Sequence, residues 1–417
     1  VTPFPSFTSE ASSQVPFRFS NPGEGQTLES PTRIIRPRNE TGCYEVEAFS
    51  EAAHVVRGTQ DGNFYMTVDA DSVISFAEPA LEESFTTPEG QQGSQRYQPQ
   101  VMTMTPVGEG MFLSNMTSES NTILEGNLQS SDYDTGFGSI IKKSTPSVSD
   151  LTGAYGIVGL GYKVATNDFG STAFIGDLNL NSSQVNFAIN MKAIKLDSSA
   201  CGSDTFTLTR ENEQTTGSAN LSIERGRINI EIASEAGSDA LFTGFARPDG
   251  KILSLIYASD MGARGSRQDH EGRSRNIIES AERQILIGVK KPSTILNLSG
   301  KRYRILSMNY AFNAQGGRTV KSGEIGTLGF DQTTLTINNL NKTIYSKATA
   351  NSNVLVTNDR NSTAGIAYTL DNEGKIEFSL GSETLSGYVA EDSSLIVLSS
   401  DESSSLGVYY AILDTSF

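Results

Sequence analysis

Histidine is the side chain best suited to acid–base work near neutral pH, and this sequence holds 2. His54 lies in Glu51-Ala52-Ala53-His54 and His270 in Gln268-Asp269-His270-Glu271. Neither is accompanied by a Gly-x-Ser-x-Gly elbow, so a serine-hydrolase triad is not expected. The 2 cysteines, Cys43 and Cys201, are too few for most zinc sites, iron–sulfur clusters or cysteine-rich scaffolds. Export would permit a disulfide between them, and two separate thiols fit equally well. Asp69-Ala70-Asp71 and Asp132-Tyr133-Asp134 set carboxylates at alternate positions, as a hard cation would want. Neither completes a calcium-binding loop, and turn-forming aspartate accounts for both. No P-loop or dinucleotide fingerprint stands in a strand–loop–helix setting. No metal and no cofactor are therefore expected. A pair of carboxylates could still serve a glycosidase, which needs no histidine; the residues alone do not single out which pair.

The chain behind these residues has 417 residues, with 32 Lys plus Arg against 48 Asp plus Glu, a formal charge of −16. Phosphate binding needs a basic field, so nucleic acid is not an expected partner. No run reaches the roughly 18 apolar residues of a membrane-spanning helix. The sequence opens at Val1 without a charged, apolar leader. With abundant Ser and Thr, 2 Cys and no Trp, this favours a bacterial protein that is secreted, periplasmic or on the cell surface.

Residues 1–40 carry Pro3, Pro5, Pro16, Pro22, Pro31 and Pro37, which forbid a long helix or a central strand. They also carry Phe4, Phe7, Phe17 and Phe19, unlike a disordered linker. An extended arm is expected, docked on its own body or on a second copy, with these rings as anchors. Beyond it the pattern is strand-like. Ala219, Leu221 and Ile223 alternate with polar residues, as do Ile376, Phe378 and Leu380. Val185, Phe187, Ile189 and Met191 keep one parity, then Ile194 and Leu196 take the other, which predicts a bulge. The spacing of Ile277, Ile278 and Ala281 predicts a short helix over 274–284, within a loop over 259–284. That segment is rich in charge of both signs. Its Arg264, Arg267, Arg273 and Arg275 are candidates for a polar partner surface.

Internal repetition organises the rest. Leu151-Thr152-Gly153-Ala154-Tyr155 opens one unit and Leu298-Ser299-Gly300-Lys301-Arg302-Tyr303 another, and Thr41-Gly42-Cys43-Tyr44 resembles a third start. Later in each comes a strand–turn–strand, including Thr243-Gly244-Phe245 and Ser386-Gly387-Tyr388. The expected fold is all-β, with three tandem antiparallel modules, small barrels or sandwiches, behind the arm. The arm takes 1–40 and the modules 41–147, 148–293 and 294–417. A six-bladed β-propeller is the alternative architecture. The functional expectation is an exported, non-enzymatic protein of a surface or extracellular assembly, partnered by another protein or by further copies of itself. Two alternatives are a barrel-type binding protein for an apolar or glycan ligand and a carbohydrate-active enzyme with paired carboxylates.

Overall fold

The structure is a computed structural model that describes residues 11–21, 33–38, 43–47, 53–54, 65–68, 74–77, 81–87, 90–97, 101–141, 144–165, 168–198, 206–224, 226–232, 240–268, 274–348 and 355–414. It is all-β, with two closed eight-stranded antiparallel barrels in tandem, so the propeller is set aside. The central barrel meanders from Gly153–Ala165 to Ser274–Lys290, and these two strands pair to close it. The C-terminal barrel runs likewise from Arg302–Phe312 to Ser405–Leu413. Among the described residues the N-terminal unit is a nine-stranded sheet, not a third barrel.

Each strand sorts its side chains by period two. In Lys375–Leu380, Ile376 and Phe378 are buried while Lys375, Glu377 and Ser379 face water. Closure leaves few bare edges, and apolar side chains pack inside each lumen. Tyr155, Ile157, Leu178 and Phe187 fill the central lumen. Tyr303, Ile305, Phe330 and Phe378 fill the C-terminal one. A third core lies outside both lumens, where the outer barrel faces meet the N-terminal sheet. Leu160, Tyr162, Ile285, Met308, Tyr310 and Tyr410 belong to it, with Met111 and Leu113.

That shared core corrects one expectation. Strand Gln184–Ser198 pairs with both neighbours without a register shift, so it has no bulge. Val185 and Phe187 point into the lumen, whereas Ile194 and Leu196 point outward into the shared core. The apolar parity changes because the apolar surroundings change sides.

The predicted helix over 274–284 is instead part of strand Ser274–Lys290, and the predicted loop is largely a hairpin. Its pairing with Ile252–Gln268 is carried out as far as Gln268 opposite Ser274. Backbone pairing satisfies a ladder without an apolar stripe, so the charged outer end still forms strand. The arm strand Ala11–Asn21 pairs along its whole length with Asn127–Ile141. A second segment, Cys43–Glu47, pairs with Arg33–Arg38 and touches the central barrel at Ile277 and Ile278.

Strand connectivity repeats between the barrels. Tyr155 and Tyr303 are fully buried on the two first strands. The turn Arg247–Gly250 and the turn at Asp392–Ser394 each join the sixth strand to the seventh. The two turns meet. Arg247, 2% exposed, donates to Asp249 from Nε (2.8 Å) and Nη2 (2.6 Å), to Ser394 Oγ (2.8 Å) and to Asp392. Its Nη1 also reaches the Val107 carbonyl (3.4 Å) of the N-terminal sheet, so one guanidinium ties three units. Nearby, Glu391 N–H donates to the Lys290 carbonyl (3.0 Å) and Lys251 pairs with Glu391 (3.1 Å).

Candidate functional site

The C-terminal barrel changes character along its axis. Cross-strand register places Ile305 opposite Ala411, Ser307 opposite Tyr409 and Asn309 opposite Gly407. Tyr303 and Ile305 belong to the apolar lumen, so Ser307 and Asn309, in step with them at period two, face the lumen as well. Gly407 makes room for Asn309, because a Cβ there would lie 1.4 Å from Asn309 Oδ1. On the seventh strand Leu398 stands opposite Tyr409 and Ser400 opposite Gly407. The upper half of this lumen is thus polar.

Lys342 enters it from Thr334–Lys347 and is 8% exposed. Its Nζ donates to the Tyr409 hydroxyl at 2.7 Å and sits over the Tyr409 ring. Asn309 Nδ2 donates to the same hydroxyl at 3.2 Å. That hydroxyl in turn donates to the Glu383 carboxylate, whose oxygens both lie at 3.2 Å, and Ser400 Oγ donates to Glu383 as well. Ser307 Oγ and Asn309 Oδ1 are buried with no hydrogen-bond partner in the described structure. Burial pulls the Lys342 ammonium below the ordinary lysine range; Glu383 opposes this, Lys321 adds to it, and Asp359 and Glu402 oppose it. Burial first, then the charge of Glu383, holds the Tyr409 phenol well above its usual range.

The sign for stability follows from linkage. A lysine with a depressed folded pKa costs stability while it is protonated, and the cost is relieved as pH rises toward about 10.4, the unfolded value. Tyr409 acts with the opposite sign, but only above about pH 10, where unfolded tyrosine ionises. Between neutrality and that point, wild type should gain stability relative to Lys342→Met. Urea unfolding at both pH values checks this, and parallel profiles would contradict it.

The sister barrel has one comparable orphan atom, Gln284 Oε1, buried without a hydrogen-bond partner, but no such relay among the described residues. In the matching rows of its closing seam, Gly159 faces Leu286 and Gly161 faces Gln284. On its seventh strand Leu255 and Tyr257 stand where the C-terminal barrel has Leu398 and Ser400. One buried carboxamide, Gln284, is opposite a glycine, but no lysine–tyrosine–glutamate relay surrounds it among the described residues.

The residues singled out from the sequence lie elsewhere. Phe17 and Phe19 are on the arm strand, opposite Thr135 and Tyr133; Phe4 and Phe7 lie outside the described residues. Arg264 is at the register shift of the outer hairpin, and Arg267 stands opposite Arg275; Arg273 lies outside the described residues. His54 is on a two-residue strand beside Ser12, and His270 and Cys201 fall outside the described residues. Asp132 and Asp134 are on strand Asn127–Ile141, and Asp69 and Asp71 lie outside the described residues. Among the described residues no group of three or more His, Cys, Asp or Glu is arranged to hold a metal. None of their helices is long and apolar enough to cross a membrane.

No protein-family model matches the chain, and no curated protein matches it. Among solved structures, one described as a candidate AttH from Nitrosomonas europaea is similar at 8% identity over 63% of this chain and 93% of that one. Its TM-score is 0.19, which is too low to carry a shared fold or role.

Proposed function

We propose that this chain is a non-catalytic binding protein, with the C-terminal barrel lumen as its ligand site and the central barrel and N-terminal sheet as its frame. The supporting observation is that one of two like-built barrels carries a buried polar cluster of Lys342, Tyr409, Glu383, Ser400 and Asn309. A buried polar group left unpaired costs about 1–3 kcal/mol. Among the described residues three such atoms share this lumen: Ser307 Oγ and Asn309 Oδ1 in its polar half and the Tyr303 hydroxyl in its apolar half. The fold does not require both Ser307 and Asn309 on this strand, since the sister barrel has Gly159 and Gly161 at the matching positions, with a single orphan in those rows, Gln284 Oε1. A ligand that pairs with Ser307 and Asn309 turns that cost into affinity and selectivity.

Affinity-selection mass spectrometry against a mixed small-molecule library tests this. Wild type should retain masses that a folded Ser307→Leu variant, with its lumen filled, releases. Retention by neither, or by both equally, would overturn it.

A second role is favoured by a different observation. The chain adds its own segments to sheet edges, Ala11–Asn21 on Asn127–Ile141 and Cys43–Glu47 beside Ile277. Edge addition between copies uses the same hydrogen bonds. On this basis copies of the protein join by arm exchange, and the assembly proposed is that of an exported surface protein. Removing residues 1–21 should lower its mass in sedimentation analysis while both barrels stay folded. An unchanged mass would contradict arm exchange.

A further inference from the structure

We infer that the ligand of the C-terminal lumen is a neutral polyol, a sugar or short glycan. This rests on the lumen being the binding site. The class follows from which donors and acceptors remain open. The Tyr409 hydroxyl is fully used, accepting from Lys342 and Asn309 and donating to Glu383. Lys342 therefore keeps two of its three N–H donors. Asn309 Oδ1 needs a donor, and Ser307 Oγ can both donate and accept. A ligand group must give a proton to Asn309 and receive one from Lys342. A hydroxyl does both, and a pair of neighbouring hydroxyls does so along the Ser307–Asn309 row.

Charged ligands fit worse. A carboxylate or phosphate has no proton for Asn309 and would sit beside Glu383, which the relay holds in place. An ammonium cannot accept from Lys342, and Lys342 and Lys321 already share this field. The same field includes Glu402 and Asp359, so the surroundings carry both signs and select neither. An apolar ligand would leave Ser307 Oγ, Asn309 Oδ1 and two N–H groups of Lys342 without partners.

Calorimetric titration with probes of one size separates these classes. The neutral probes are N-acetylglucosamine, glucose and myo-inositol; gluconate is the anion and glucosamine the cation. At least one neutral probe should bind saturably, and tenfold or more tighter than either charged one. Lys342→Met and the milder Ser307→Ala should each weaken it at least tenfold, while Tyr257→Phe in the sister barrel should not. Equal or tighter binding of gluconate or glucosamine overturns the inference. So does neutral binding that both lumen variants leave unchanged. If library masses depend on Ser307 but no polyol binds, the ligand class fails and the site stands. If nothing of any class is retained, both fail.

Discussion

Replacing Arg247 with Ala should destabilise the protein by about 2–3 kcal/mol, because its bonds are charge-assisted, about 1.5–3 kcal/mol each, while Asp392 and Asp249 keep part of their hydration. Arg247 is 2% exposed, and its loss leaves Asp392 facing the joint between barrels without its cation. It also strips donors from Ser394 and from the Val107 carbonyl, so all three units lose a shared contact. Arg247→Lys should recover part of the loss, since a point charge cannot reproduce the guanidinium fork. The pH profile adds a check. Burial works against the Asp392 carboxylate, but hydrogen bonds from Ser394 and Arg247 hold it below its ordinary range. Its contribution is therefore present above about pH 3.9, the unfolded value, and is lost as pH falls through the lower folded value. Urea unfolding at neutral pH should show the full difference between wild type and Arg247→Ala, and acid should shrink it. A difference below 1 kcal/mol at neutral pH would contradict this role.

Gly387→Ala should cost about 3 kcal/mol, the upper range for overpacking. A Cβ there would lie 1.8 Å from the Val397 carbonyl oxygen and 2.8 Å from Leu398 Cα. Both atoms are backbone, so the sixth and seventh strands must part. Gly244 holds the same place in the central barrel, 1.9 Å from the Ser254 carbonyl oxygen, and should behave alike. Gly329→Ala is the control, because its Cβ would meet only Arg302 Cγ at 3.9 Å. Thermal unfolding of the three variants decides it; equal midpoints for Gly387→Ala and Gly329→Ala would contradict the packing account.

The barrels were legible where one face is apolar and the other wet. Ile376 and Phe378 alternate cleanly, and Tyr155 and Tyr303 mark like positions in two units. Legibility failed where both faces are covered. In Arg302–Phe312 the lumen takes Tyr303 and Ile305 while the shared core takes Leu306, Met308 and Tyr310, so no alternation survives. In Tyr409-Tyr410 one ring enters the lumen and the other the shared core, and residue type does not say which. Lys342 was hidden by register. Leu335 and Ile337 face the lumen from odd positions, then shifts after Leu335 and Ile337 bring Leu340 and Lys342 inward from even ones. Straight alternation would have put this lysine in water. Ile277 beside Ile278 suggested a helix because adjacent apolar residues suit one; here the two sit on a strand with Cys43–Glu47 along its edge.

The most direct test of the lumen as binding site is an NMR titration of protein carrying ¹³C-labelled tyrosine, using the ligand recovered by affinity selection. Tyr409, assigned through Tyr409→Phe, should shift saturably with ligand, because its hydroxyl joins Lys342, Asn309 and Glu383. Tyr155, its hydroxyl bound to the Gly250 carbonyl in the central barrel, should stay in place. A bound ligand that moves Tyr155 and leaves Tyr409 unmoved would contradict the account.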